Sequence, residues 1–160
     1  MELYFTRDKS RMYFKMGQIN TISIIVDRKK NTVLSLNSSM MGKAAQIGLA
    51  SDIPSPKKDS TIEVIFSEEK RKILNYNCKK AVLTENGIET TYWYTNEIQV
   101  DGKDYSILNP NIPGFPIYFS KTQDGVLMTF ELSNIREELK DEKQLFSTEV
   151  PAGYMLLEQN

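Results

Sequence analysis

Apolar and polar positions alternate with a period of two along most of this chain, most sharply between Asn75 and Thr95. There NYNCKKAVLTENGIETTYWYT reads as two strands, Tyr76–Thr84 and Gly87–Thr95, around Glu85-Asn86-Gly87. Asn-Gly tolerates the positive φ that a tight hairpin turn requires. The second arm holds Tyr92-Trp93-Tyr94, with the chain's one Trp, and is the candidate for a central strand.

The same period runs through the rest. Leu3–Thr6 and Arg11–Met16 flank a turn at Arg7–Ser10, and Met12, Phe14 and Met16 share a face. Gly17-Gln18 breaks the chain. Thr21–Val26 follows with Ile22, Ile24 and Val26 on one face, then a charged turn at Asp27–Asn31 and a strand at Thr32–Leu36. Ser38–Ala50 reads as a turn at Gly42 and a strand, because Gly42 and Gly48 both weaken a helix. Ser51–Ser60 is a solvated loop. Thr61–Phe66 is a strand, and the charged run Ser67–Lys72 is expected to turn the chain towards the central hairpin.

Beyond that hairpin, Asn96–Asp104 reads as short extended pieces and turns. Ile107–Pro116 carries three prolines and Gly114, which exclude a regular helix or an interior strand. Ile117–Ser120 and Val126–Leu132 form a hairpin around Asp124-Gly125. Asn134–Phe146 is the helical candidate, capped by Asn134, with a single turn at Asp141–Leu145 as the alternative. A short apolar run follows Val150–Met155. The expectation is mostly β: one curved antiparallel sheet or half-open β-barrel with one or two short helices. A sheet of so many twisted strands must curl, and its concave face holds side chains or a ligand.

Composition narrows the chemistry. A chain of 160 residues suits a single domain, residues 1–160, and its abrupt strand-like start suggests a mature form or fragment without its leader. The net charge of −1 argues against a nucleic-acid partner, although Lys70-Arg71-Lys72 is a local basic patch. There is no His, which removes the commonest general base and metal ligand. The one Cys, Cys78, is expected as a small buried hydrophobe rather than a reactive thiol. No stretch has the length of a membrane span. Glu68-Glu69 and Glu137-Glu138 read as solvated faces rather than a catalytic pair or a metal site, and Asn37-Ser38-Ser39 matches the glycosylation sequon only as a short pattern. No catalytic residue, metal site or cofactor is assigned.

Four motifs carry a resemblance. They are Asn75–Ala81 with its Cys-Lys-Lys-Ala core, Trp93-Tyr94-Thr95, the Pro/Gly segment Ile112–Ile117, and Phe146 with Pro151-Ala152-Gly153-Tyr154. In this order they resemble the secreted bacterial proteins of unknown function related to the GLPGLI family. Asn75 stands where Gly is usual, and Phe115-Pro116 replaces a leucine-rich core. The resemblance implies export to the periplasm or an outer-membrane lipoprotein. It also implies kinship to the lipoprotein-carrier (LolA-like) fold, a half-barrel around an acyl chain.

On that footing the expected function is non-enzymatic binding of a lipid or other apolar ligand. The alternative is a structural or protein-interaction module of the cell envelope without a ligand cavity. The pocket candidates are Trp93, Phe115, Ile117, Phe119, Met128 and Phe130, which read most simply as core but would equally line a pocket. Tyr92 and Tyr94 alternate with Trp93 and are expected as a solvent-facing ladder. Pro113–Pro116 is a bend into the next strand or, alternatively, a lid.

Overall fold

A computed structural model describes residues 1–17, 19–54, 57–99 and 108–157. The pieces expected over residues 100–104, Ile107, Gln18 and the loop positions Ser55 and Pro56 lie outside these residues. The chain is mostly β, as its alternation dictates. It divides into two compact units, Met1–Pro54 with Glu138–Asn160, and Ser55–Glu137. Each contains one sheet, so the strands do not form the single curled sheet or half-barrel that the pattern suggested.

The first unit is a meander of β1 (Glu2–Phe5), β2 (Lys9–Met16), β3 (Asn20–Asp27), β4 (Thr32–Ser39) and β5 (Gly42–Gly48), each antiparallel to the last. Its turns follow from their residues. At the β3–β4 turn the buried Asp27 carboxylate accepts from the Lys30 N–H at 3.0 Å, and Asn31 takes φ 50°. The Asn31 side-chain oxygen then accepts from the Ser51 N–H at 2.8 Å, which ties down the short 3-10 turn Ala50–Asp52.

Ile25, Leu34, Leu36 and Ala45 form the core of this unit, with Val150 and Tyr154 packed against them. The face that closes on β3 therefore holds Ser23 and Ile25, while Ile22 and Ile24 stay half-buried on the other. The returning tail makes this choice. Arg11 donates to Ser23 Oγ at 3.0 Å and to the Leu145 carbonyl at 3.3 Å, so one side chain links β2, β3 and the tail. The expected helix over Asn134–Phe146 shrinks to α1 (Glu142–Leu145), one turn starting after Asp141 at φ 55°. A charged stretch without a continuous apolar face does not offset the cost of helix nucleation. The tail ends in β11 (Met155–Leu156), parallel to β5.

The second unit orders its strands β10-β9-β8-β7-β6. They are β6 (Glu63–Ile73), β7 (Tyr76–Glu85), β8 (Ile88–Thr95), β9 (Phe115–Gln123) and β10 (Val126–Glu131). The Asn86-Gly87 and Asp124-Gly125 turns are the two-residue hairpins expected, with positive φ at both residues of each. Leu74-Asn75 makes a third turn of the same kind. It replaces the turn expected at Ser67–Lys72, which instead continues β6 through a bulge. Phe66 pairs with Ala81 and Lys70 with Lys79, so Ser67, Glu68 and Glu69 share Lys80 as the one residue opposite.

Pro116 lies inside β9, against the expectation that its segment excludes an interior strand. It pairs with Tyr94 at the register shift between β8 and β9, an irregularity in the ladder where a missing N–H is tolerated. The segment before it is a bend pinned to β8. A Cβ on Gly114 would lie 2.6 Å from the Thr95 carbonyl oxygen and 2.7 Å from the Tyr94 ring. Gly114→Ala is therefore expected to destabilise the second unit by about 1–3 kcal/mol, read from its urea midpoint, because backbone on both sides must shift.

Candidate functional site

The pleat of β8 decides which aromatics are covered. Tyr92 and Tyr94 are 8% and 4% exposed and join Ala81, Leu83 and Ile112 in the core of the second unit. Trp93 points to the other face and is only half-buried. The solvent-facing tyrosine ladder is thus reversed: the tyrosines are the core and the Trp is on the more open side. Both rings gain apolar cover on the face occupied by Val64, Leu83 and Phe119.

The six pocket candidates do not converge. Phe119 stacks on Phe130 at 4.8 Å between ring centroids and leans on Tyr92 at 5.4 Å, so these two belong to the tyrosine face. Ile117 is fully buried at the register shift between β8 and β9. Phe115 is buried opposite Thr95. Met128 is half exposed on β10, a strand with no partner on its outer side within the sheet. Trp93 stands on the opposite face from Phe119.

What gathers beside Trp93 is charge. The Arg71 guanidinium lies 5.9 Å from the Trp93 ring centroid. Arg71 sits opposite Cys78 and Lys80 opposite Trp93, so these share the indole's face; Lys70 sits directly opposite Lys79 on the other face, a like-charge cross-strand pair that works against the sheet. Lys70, Arg71, Lys72, Asn77, Cys78 and Lys79 line a shallow groove of ≈ 450 Å³. The bulge sets its rim. Lys80 Nζ donates to the Glu69 carboxylate at 2.8 Å, and this bond holds that carboxyl below its ordinary value. Glu97 accepts from the Asn77 backbone N–H at 3.0 Å and from its side chain at 2.8 Å.

This surface can attract an anion or a polar polymer and offer an aromatic platform. It has no evident nucleophile. Cys78 is buried, and burial pushes its thiol above the ordinary range, the opposite of an activated cysteine. Among the described residues no three His, Cys, Asp or Glu side chains gather as metal ligands. The Lys70-Arg71-Lys72 signal was legible in the sequence. The pairing of Lys70 with Lys79 and the approach of Arg71 to Trp93 became so only once the hairpin register was known.

One mixed sheet and one antiparallel sheet, each in its own unit, define a mostly β protein. The chain belongs to the family of the N-glycanase peptide, N-terminal domain (PNGase F-II), whose family model matches residues 10–112. Two solved structures of PNGF-II, in space groups C2 and P21, resemble it over 97% and 95% of its length. Identities are 21% and 20% and TM-scores 0.47 and 0.43. The chain spans 27% and 26% of those chains, so it corresponds to about a quarter of their length. No curated protein matches it.

This family corrects the resemblance drawn from the motifs. The match runs through the Cys-Lys-Lys-Ala and Trp-Tyr-Thr strands that suggested GLPGLI-related proteins. The strands form two sheets rather than a half-barrel of the lipoprotein-carrier type. The expected lipoprotein status and the enclosed acyl ligand rested on that likeness and are withdrawn with it. Among the described residues no helix is long and apolar enough to cross a membrane.

Burial sets a pH dependence for this unit. It raises the Tyr92 and Tyr94 phenols and the Cys78 thiol above their ordinary values of 10.0 and 9.0. For Tyr92 a hydrogen bond with Asn109 partly opposes the rise. Each group is held neutral in the fold and ionises more readily when unfolded. Their stabilisation is complete below the unfolded values and is lost as pH rises through them towards the folded ones. The urea midpoint should fall on the alkaline side of the thiol's ordinary value, and Tyr94→Phe should make that fall shallower. A flat alkaline limb would show that these groups are not held neutral by burial.

Proposed function

We propose that this chain is an exported, non-catalytic module of the N-glycanase family, which holds a glycan-bearing polypeptide rather than cutting it. The observation that carries this reading is the match of residues 10–112 to the N-terminal domain associated with an N-glycanase. The residues agree with it. The chain has no His, its one thiol is shut away, and its most distinctive surface feature pairs Trp93 with the Arg71 guanidinium. A half-exposed indole beside a guanidinium suits stacking and hydrogen bonding to a polar, ring-containing ligand.

The test uses immobilised glycoprotein carrying N-linked glycans and the same protein stripped of them. The chain should release no glycan by mass spectrometry and should be retained more strongly on the glycosylated beads. Trp93→Ala and Arg71→Ala should each weaken retention by roughly fivefold, the scale of a single cation–π or stacking contact. Glycan release would overturn the non-catalytic assignment. Equal retention on both supports would overturn the glycan-holding role.

One observation favours the second reading, a protein-interaction module. Val126, Leu127 and Met128 are all exposed on β10, at the end of the second sheet, where a partner strand could add.

A further inference from the structure

The two ends of the first sheet differ in chemistry. At one end the turns carry Arg7, Asp8, Arg28, Lys29 and Lys30, and Lys29 pairs with Asp8 at 3.0 Å. At the other end the strands close on apolar side chains. β2 ends at Met16, Ile19 precedes β3, Met40-Met41 join β4 to β5, and β11 opens with Met155 beside Ala44. All five side chains are more than half exposed, Met40 at 81% and Met41 at 99%. Adjacent strands lie about 4.8 Å apart, so tips from β2 to β11 form a row roughly 20 Å long.

These are protruding turn tips, so a bound small molecule could not surround them. A medium that closes around protrusions could, and the acyl–headgroup boundary of a bilayer is one. Methionine side chains are flexible and polarisable enough to insert without a matching surface. Lys15 and Lys43 are exposed just behind the tips, the Lys43 ammonium lying 5.7 Å from the Tyr154 ring centroid, and their flexible stems allow both to meet anionic headgroups. Glu2, the carboxylate on the outer strand at this end, accepts from the Tyr4 hydroxyl. The Met40-Met41 turn is also suited to leaving water. Ser39 Oγ accepts from the Met41 N–H at 3.2 Å and donates to the Gly42 carbonyl at 3.4 Å.

We propose that this end of the first unit docks on an anionic lipid surface, inserting Met40 and Met41 with Met16, Ile19 and Met155 around them. No acyl chain is enclosed; the whole protein rests on the interface. This attachment is separate from the basic strip of the second unit and does not depend on glycan binding.

The test is cosedimentation of the full chain with vesicles of phosphatidylcholine alone, and of phosphatidylcholine with phosphatidylglycerol. The chain should partition onto the anionic vesicles. The double substitution Met40→Ser, Met41→Ser should lower partitioning by roughly tenfold or more, since it removes the inserting surface. Lys15→Gln with Lys43→Gln should abolish the preference for the anionic vesicles. These sites are exposed, and unchanged circular dichroism and thermal midpoints will show that the variants fold. The proposal is overturned if the chain binds neither vesicle or if the methionine pair leaves binding unchanged. It is equally overturned if binding is lost with Lys70→Gln, Lys79→Gln, or if the tips prove to hold a lipid-independent dimer that the methionine pair dissolves.

Discussion

Six residues in left-handed backbone set the second sheet: Leu74-Asn75, Asn86-Gly87 and Asp124-Gly125. Each pair closes a two-residue turn whose twist matches that of the strands it joins. Glycine reaches this region freely, and Asn and Asp tolerate it, whereas Leu74 adopts it at a steric cost of about 1–2 kcal/mol. With the turns fixed, no strand can slip by one residue without exchanging its two faces. That register puts Tyr92 and Trp93 on opposite faces of the sheet.

The bulge in β6 is the second consequence of pairing. A turn at Leu74-Asn75 forces the charged run Ser67–Lys72 to remain in a strand, although its composition suits a turn. The surplus residues are absorbed opposite Lys80, and the strand resumes with Lys70 facing Lys79 and Arg71 facing Cys78. Thus the same register that puts Tyr92 and Trp93 on opposite faces sets Arg71 and Lys80 on the face of the indole and Lys70 and Lys79 on the other. Local electrostatics alone would separate Lys70 from Lys79; the pairing of the flanking residues holds them together.

In the first unit, order comes from a segment far away in sequence. Arg11, Ser23 and the Leu145 carbonyl are joined by one guanidinium, and Val150 and Tyr154 cover Leu34 and its neighbours. The tail covers one face of the meander, and the turns at one end of that sheet are left carrying bare methionines. Charged turns at one end and apolar turns at the other make this sheet polar along its strands. That asymmetry is hard to explain by folding alone, since exposed apolar tips add nothing to a core.

The sequence by itself determined the β class, most strand positions, the Asn-Gly and Asp-Gly hairpins and the burial of Cys78. These depend on side-chain period and on which residues tolerate positive φ, both local properties. It also displayed Lys70-Arg71-Lys72 and every exposed Met, without saying where they would meet. Tertiary structure decided the rest: two sheets instead of one, the buried face of β3, the exchange of roles between Tyr92 and Trp93, and the single helical turn at Glu142–Leu145. An alternating strand has two faces, and its own residues do not say which will be covered. That choice belongs to the segment packed against it, here the tail on the first sheet and the Ile112 bend on the second.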